Sequence, residues 1–237
     1  MRVLVTRPEP ASARTAAELK RRGHEPVLLP LMQAIQQPEA LMKAPETEAS
    51  ALAVTSAEAM RVLETLPQDR QAPYLALPVF AVGRATARAA EAAGFGTVSI
   101  ADGDGSSLAK LLISSMDATA PIVYLTGTPR SPDFEAALQE AGYAIDLREC
   151  YRMIPTSLSD AAVAERLEPM PDAILVYSSE TARRLAELHA RTAQSLDWQR
   201  ARFLCLSDKI ASALPAEFQP RSQWPMEPRE DLLLLLL

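Results

Sequence analysis

Tyr151, within residues 147–155, carries a phenol that can act as a proton donor. An unperturbed phenol has a pKa of about 10, so it stays protonated at neutral pH, as a proton donor must. Three hydroxyl side chains, Thr55, Ser56 and Ser178, each follow a predicted strand and precede a predicted helix. Open α/β sheets bind ligands at the carboxyl ends of their strands. These residue types therefore indicate a small-molecule site, although a hydroxyl in this position can also simply cap a helix.

Two copies of one strand–helix pattern position these side chains. Leu4 aligns with Val123, and at the same offset Met32 aligns with Tyr151. The similarity continues through both halves with small slips of the kind that loop insertions produce. Met32 and Tyr151 thus lie on equivalent connecting segments, one of which carries a titratable phenol. We expect a two-lobed molecule with a site between the lobes.

Short apolar runs alternate with Ala-, Glu- and Lys/Arg-rich segments along the chain, which predicts a parallel sheet with right-handed crossovers. Gly23 and Gly94 follow two of the predicted helices as C-terminal caps. Residues 67–78 are predicted to be a proline-flanked loop. The leucines at 232–237 would leave apolar side chains on every face of a surface helix, so we assign them no function.

Length, composition and charge restrict the class of protein and its partners. A chain of 237 residues can hold two domains of ordinary size. The net charge of −6 and the lack of a basic tail argue against a nucleic-acid partner. No signal peptide or membrane span is predicted, since the apolar run at 232–237 is far too short. We expect a cytoplasmic protein that acts as a monomer.

No cofactor or metal is expected. Cys150 and Cys205 lack the spacing of metal ligands, and His24 and His189 lie far apart in the sequence. The glycines in residues 102–107 form neither a dinucleotide fingerprint nor a phosphate-binding loop.

The order of several short motifs resembles the uroporphyrinogen-III synthase family. The motifs are VTRP at 5–8, VTSAEAM at 54–60, VGRATA at 82–87, LTG at 125–127, CYR at 150–152 and VYSS at 176–179. A Gly/Asp/Ser loop before a helix lies between the third and fourth of them. Each motif alone is weak, whereas their order and spacing along essentially the whole chain are specific.

This resemblance implies two similar parallel-sheet α/β domains joined by a two-stranded connector, with a ligand cleft between them. Residues 1–33 with 155–237 would form one domain and 37–149 the other, with connectors near 30–37 and 148–155. The implied reaction closes linear hydroxymethylbilane to uroporphyrinogen III, with inversion of the last pyrrole ring, loss of water and no cofactor.

The resemblance also implies roles for individual side chains. Tyr151 matches the best-supported proton donor of the family. Thr86 matches the hydroxyl of the VGxxTA pattern, Arg7 the arginine of the TRP start, and Arg130 that of a glycine-containing loop. Substrate contacts are expected from these residues and from hydroxyls before or at helix starts, namely Thr55, Ser56, Ser106 and Ser178. For each hydroxyl the alternative is a helix cap, and for each arginine a solvated surface charge.

Two departures from the family pattern leave other functions open. Ile210 stands where the second copy has a counterpart of Thr86, and the loop at 126–130 lacks the usual Arg-Gly opening. The alternatives are a non-catalytic regulator that binds a tetrapyrrole or a small anion, and a bilobal sensor. Formation of the type III product from hydroxymethylbilane would separate the enzyme from both.

Overall fold

Two parallel β-sheets organise the chain, each within its own folded unit. The computed structural model describes residues 1–46 and 48–237. One unit comprises Met1–Gln33 and Ile154–Leu237, and the other comprises Ala34–Met153. The chain therefore passes between the units twice, and the folded units are offset from the sequence repeats.

Strands and helices alternate along most of the chain. The described strands are β1 (Arg2–Val5), β2 (Glu25–Leu28), β3 (Met32–Gln36), β4 (Ala51–Val54), β5 (Val79–Ala81), β6 (Val98–Ile100), β7 (Ile122–Thr128), β8 (Ile145–Pro155), β9 (Ala173–Val176), β10 (Arg202–Cys205) and β11 (Ser222–Gln223). The described helices are α1 (Ala11–Arg21), α2 (Ala57–Glu64), α3 (Gln68–Leu75), α4 (Arg84–Ala93), α5 (Gly105–Ser115), α6 (Asp133–Glu140), α7 (Asp160–Leu167), α8 (Ser179–Thr192), α9 (Asp208–Ala211) and α10 (Glu230–Leu233). Short 3-10 turns lie at Pro38–Leu41, Trp198–Arg200, Gln219–Arg221 and Leu234–Leu236.

The two sheets share one strand order. The unit that contains both chain ends has the order β11-β10-β9-β1-β2, and the other has β3-β8-β7-β4-β5-β6. Leu4 lies in β1 and its repeat partner Val123 lies in β7, so β6-β5-β4-β7-β8 is the same order in the other folded unit. These strands pair in parallel. The expectation of two similar parallel α/β units is confirmed.

Strand β3 is an additional edge strand beside β8. The backbone N–H of Gln37 donates to the carbonyl of Cys150 at 2.8 Å, and that of Thr156 donates to the carbonyl of Leu31 at 3.0 Å. The two segments therefore run side by side where the chain passes between the units.

Central strands of both sheets are buried along their whole length. All four residues of β4 (Ala-Leu-Ala-Val) and of β9 (Ala-Ile-Leu-Val) are inaccessible to solvent. Side chains from β4 enter two apolar clusters: Leu52 and Val54 join one, and Ala51 and Ala53 join the other. Helices cover both faces of a parallel sheet, so continuous apolar runs are the expected sequence of such strands.

The predicted loop at 67–78 is wrong, because it contains helix α3. Pro67 directly precedes the first helical residue and so removes no hydrogen bond within the helix, but Pro73 lies inside the helix. Tyr74 explains why the helix persists. Its ring is fully buried, and its hydroxyl hydrogen-bonds the carbonyls of Leu41 (2.9 Å) and Lys43 (2.8 Å). Tertiary packing thus overrides the local signal of the prolines.

Some of the C-terminal leucines are buried, which the sequence did not predict. Leu233 and Leu234 are buried in an apolar cluster with Val3 and Val5 of β1, whereas Leu235 is exposed. Only part of the leucine run therefore faces solvent. Burial against the first strand gives these leucines a structural role.

Candidate active site

Tyr151 lies towards the carboxyl end of the sheet in the unit Ala34–Met153. Strand β8 pairs with β7 in parallel register, with Thr126 opposite Glu149 and Gly127 opposite Tyr151. The register shifts between these two pairs, so Cys150 is an extra residue in β8 and forms a β-bulge. Bulges commonly redirect a side chain beside a functional site. Here the bulge sets Tyr151 opposite Gly127.

Burial dominates the electrostatics of Tyr151. The residue is 8% exposed, and its ring lies directly against Gly127. Burial raises the pKa of the phenol to about 12, while hydrogen bonding with the Ser56 side chain opposes that rise. Cys150, Tyr124 and Glu58 raise it further to a smaller degree. The phenol is therefore neutral across the physiological pH range and is available as a donor.

Thr55 and Ser56 follow β4, which pairs with β7 and so ends beside it. The Thr55 hydroxyl lies 3.1 Å from the Tyr124 hydroxyl. Ser56 is the N-cap of α2, because its side chain accepts a hydrogen bond from the backbone N–H of Glu58 at 3.1 Å. Ser56 therefore serves as a helix cap, and its side chain also acts to lower the pKa of the Tyr151 phenol.

Glu58 is a buried carboxylate near this site that the sequence-based reasoning did not select. Only 7% of the residue is exposed, and its carboxylate accepts hydrogen bonds from Gln36 Nε2 (3.0 Å) and Arg61 Nε (2.8 Å). The sequence does contain a signal for this residue. Glu58 falls in the first turn of the helix predicted after Thr55 and Ser56, where acidic side chains are favoured. Its negative charge also favours the neutral form of Tyr151.

Thr86 and Ser106 lie in the first turns of α4 and α5. Thr86 is 5% exposed, and Gly83, the N-cap of α4, provides no side-chain cap. Ser106 is exposed, and the cap of α5 is Asp104, which accepts a hydrogen bond from the Ser107 N–H at 2.7 Å. A Cβ added at Gly83 would lie 3.6 Å from the Cα of Gly103, so the two helix starts are brought close together.

Arg130 is paired within its own unit. Its guanidinium donates to Glu135 at 2.5 Å and to Glu149 at 2.6 Å. The hydrogen bond to Glu135, followed by that to Glu149, raises the pKa of Arg130 above its usual value despite burial. Glu149 lies two residues before Tyr151 in β8. The guanidinium charge is thus already balanced by two carboxylates.

Arg7 and Ser178 belong to the other unit. Arg7 donates to Glu230 at 2.9 Å, and its guanidinium carbon lies 4.2 Å from the centre of the Tyr177 ring. Ser178 is the N-cap of α8 and accepts a hydrogen bond from the Thr181 N–H at 3.1 Å. The structure therefore gives both residues local partners within their own unit.

Across residues 1–46 and 48–237, no group of three or more His, Cys, Asp or Glu side chains is arranged to hold a metal ion. In the same part of the chain, no helix combines the length and the apolar character needed to cross a membrane.

The fold places the chain among the open-sheet α/β proteins, with hydroxyls and a buried phenol at the carboxyl ends of parallel strands, where ligands of such sheets bind. The family model described as uroporphyrinogen-III synthase HemD matches residues 13–234. The chain belongs to the uroporphyrinogen-III synthase family. No curated protein sequence gives a significant match.

Solved structures of similar fold include two uroporphyrinogen-III synthases. The enzyme from Helicobacter pylori aligns with a TM-score of 0.67 at 16% identity, over 99% of this chain and 96% of that one. A mutant of the enzyme from the extremely thermophilic bacterium Thermus thermophilus aligns with a TM-score of 0.57 at 22% identity, over 100% and 96%. At these identities the likeness demonstrates a shared fold.

The match to the family model confirms the expected family and class of reaction. The chain is an enzyme of the lyase class that cyclises hydroxymethylbilane in tetrapyrrole biosynthesis. None of the observations favours the alternative of a non-catalytic regulator.

Proposed function

We propose that this chain forms uroporphyrinogen III from hydroxymethylbilane and that Tyr151 donates the proton on which departure of the hydroxyl group depends. One observation carries the assignment of Tyr151: a buried, neutral phenol lies at the carboxyl end of a parallel sheet, beside the hydroxyl of Ser56. Ligands of open α/β sheets bind at that edge. Membership of the family supports the reaction.

The chemistry requires a proton donor at one atom. The C–O bond of the hydroxymethyl group breaks, the oxygen takes a proton and leaves as water, and a carbocation conjugated with the pyrrole remains. A donor placed at this oxygen lowers the barrier. The substituted carbon of the last ring then attacks the cation, and rearrangement through a spiro intermediate inverts that ring.

The pKa of Tyr151 determines when the proton moves. A phenol with a pKa of about 12 does not protonate a neutral alcohol before the C–O bond breaks. A departing hydroxide is far more basic, since the pKa of bulk water is about 15.7. The proton therefore transfers late, as the bond breaks. The phenolate so formed stabilises the neighbouring cation and recovers a proton from the closing pyrrole, which returns Tyr151 to its starting state.

The substrate carboxylates are held by hydroxyls and helix N-termini in this proposal. Backbone N–H groups at helix N-termini favour anions. Ser56 caps α2 and Asp104 caps α5, whereas α4 has no side-chain cap. Thr55 and Ser56, Thr86, and Ser106 lie at the N-terminal turns of these three helices. The protein has a net charge of −6, so local donors of this kind are needed to bind a polyanion.

Arg7, Arg130 and Ser178 remain proposed substrate contacts. Arg7 and Arg130 are paired with carboxylates, and Ser178 caps a helix. A substrate carboxylate would have to exchange with Glu230 at Arg7, or with Glu135 or Glu149 at Arg130. Binding at either arginine is therefore weaker than at an unpaired guanidinium.

We also propose that the enzyme acts as a cytoplasmic monomer without a nucleic-acid partner. Cys150 and Cys205 are free, buried thiols, which suits a reducing compartment, and the net charge is negative. Sedimentation velocity at micromolar concentration should give a single species of about the chain mass of 25.7 kDa.

The decisive experiment is to supply hydroxymethylbilane and to separate the type I and type III isomers of the product. The type I isomer forms without an enzyme, so only type III above the uncatalysed background counts. Type III formation that scales with protein concentration supports the proposal. Binding of substrate without any type III product would instead indicate a non-catalytic protein.

A further inference from the structure

Gly127 lies directly against the Tyr151 ring. A Cβ added at Gly127 would lie 2.1 Å from Cε2, 2.3 Å from Cζ and 2.6 Å from Cδ2 of Tyr151. Real Cβ atoms essentially never come within 3.0 Å of another heavy atom in this way. All three nearest atoms belong to the same ring, so the phenol ring occupies the space that glycine leaves open.

The β-bulge makes this approach a property of the strand register. Cys150 is the extra residue, and the pairing that follows it sets Tyr151 directly opposite Gly127. An unbroken register would place Cys150 opposite Gly127 and Tyr151 opposite Thr128. The bulge therefore sets the Tyr151 ring opposite residue 127, and the glycine at that residue leaves room for the ring.

We propose that Gly127 is a positioning residue for the cyclisation reaction, because only glycine at this position lets the Tyr151 phenol reach its place at the end of the sheet. This inference rests on the role proposed above for Tyr151. Gly127 touches no reacting atom and acts through the ring.

A methyl group at Gly127 would displace the ring by more than 1 Å, because carbon atoms in contact lie about 3.5–4.0 Å apart. Misplacing a catalytic group by about 1 Å can cost on the order of 100-fold in rate. Gly127→Ala should therefore lower kcat by about that factor, while KM changes little because the carboxylates are held elsewhere.

The matched control is Gly96→Ala. Nothing lies within 4 Å of a Cβ added at Gly96, and its backbone does not require glycine. Gly96→Ala should keep both kcat and KM. If Gly127→Ala also keeps the kcat of the unaltered protein, the inference is overturned.

A second comparison tests whether Gly127 acts through Tyr151. In a Tyr151→Phe background the donor is already absent, so Gly127→Ala should cause little further loss of kcat. A further loss as large as in the unaltered protein would show that Gly127 acts by another route and would overturn the proposal.

Spectroscopy tests the placement of the ring without any measurement of activity. In protein labelled with ¹³C at the tyrosine Cζ, the signal that disappears in Tyr151→Phe belongs to Tyr151. That signal should shift in Gly127→Ala and stay in place in Gly96→Ala. An unshifted signal in folded Gly127→Ala contradicts the inference. If instead Tyr151→Phe keeps full turnover while the signal shifts, the role of Tyr151 fails and the packing of the ring on Gly127 stands.

A further pair of variants covers the case in which Gly127→Ala does not fold. Removing the ring as well, in Gly127→Ala with Tyr151→Ala, should then restore a midpoint of thermal unfolding close to that of Tyr151→Ala alone. Such recovery would show that the added methyl group meets the ring. A double variant that remains unfolded, next to a folded Tyr151→Ala, would mean that Gly127 is needed for another reason and would overturn the proposal.

Discussion

Arg7 and Glu230 lie 223 residues apart in the chain and form an ion pair with an Nη1–Oε1 distance of 2.9 Å. The same carboxylate oxygen accepts hydrogen bonds from Thr15 at 2.5 Å and from Tyr177 at 2.8 Å. Glu230 is the first residue of α10, and Leu233 in the same helix is fully buried against β1. The ion pair therefore fastens the C-terminal helix to the end of the first strand.

Glu230→Gln should destabilise the protein by about 1–2 kcal/mol at pH 7, since hydrogen bonds to a charged group are worth more than neutral ones. Burial acts to raise the pKa of Glu230, but Thr15, Arg7 and Tyr177 outweigh it and leave the pKa below its usual value. A lowered folded-state pKa adds stability above the unfolded-state pKa, and that stability is lost as the pH falls through the folded-state value.

Thermal unfolding at pH 7 and at pH 3 should show a smaller acid-induced drop for Glu230→Gln than for the unaltered protein. Glu227→Gln, at an exposed carboxylate of the same segment, is the control. Its unfolding midpoint at each pH should stay close to that of the unaltered protein. Identical acid sensitivity in all three proteins would exclude Glu230 as a contributor.

Tyr151→Phe removes the phenolic hydroxyl and keeps the ring on Gly127. Because a general acid contributes about 10²–10⁴-fold, turnover should fall by that factor while the midpoint of thermal unfolding stays nearly constant. Tyr143→Phe is the matched control. Tyr143 is also buried, but it precedes β8, and its hydroxyl donates a hydrogen bond to the carbonyl of Met116. Its loss should affect stability and leave turnover intact. Retention of more than about a tenth of turnover in Tyr151→Phe would exclude the phenol as the principal donor.

Tyr151 should also contribute to stability in alkaline solution. Burial raises its folded-state pKa to about 12, above the unfolded-state value of about 10. The resulting stability is fully present below pH 10 and is lost as the pH rises towards 12. Denaturant unfolding between pH 9 and 11 should therefore show a shallower alkaline decline in Tyr151→Phe than in the unaltered protein. An unchanged slope would indicate that the phenol is already hydrated in the folded state.

Substitution of Ser56 can separate helix capping from substrate binding. Replacing an N-cap serine by alanine costs about 1 kcal/mol, whereas glycine costs only a few tenths. Ser56→Ala should thus be less stable than Ser56→Gly. Both lack the hydroxyl, so both should show the same rise in KM if Ser56 binds substrate. A KM that rises only in the less stable variant would assign Ser56 to capping alone.

Chelation tests the expectation that the reaction uses no cofactor. After exhaustive dialysis against a chelator, the protein should keep its full rate of type III formation, because proton donation and positioning come from its own side chains. A rate that falls on dialysis and returns with one added metal ion would overturn this expectation.

Much of the fold follows from local patterns that the sequence displays. The apolar runs of β4 and β9 identify the central strands, and Ser56 and Ser178 mark the starts of α2 and α8. Gly94 ends α4 in a left-handed conformation, with φ at 102°. These signals act within a few residues, so they can be interpreted without knowledge of the rest of the chain. The internal repeat then relates one sheet to the other.

Tertiary structure decided what depends on distant contacts. Helix α3 persists despite Pro73 because the Tyr74 ring is buried and its hydroxyl reaches the carbonyls of Leu41 and Lys43. Arg148, which resembles any charged strand residue in the sequence, is buried and donates to the carbonyl of Ala44, 104 residues away. Such contacts form only once strands and loops from separate parts of the chain have packed together.

The site shows the same division. The sequence by itself determined that Tyr151 has a phenol suited to proton donation and that Thr55 and Ser56 follow a strand. Only the tertiary structure decided that the Tyr151 ring lies on Gly127, because the position of a bulge depends on how two strands pair rather than on either strand alone. It also decided that Arg7 and Arg130 are already neutralised by carboxylates, since ion pairs form between side chains that folding brings together.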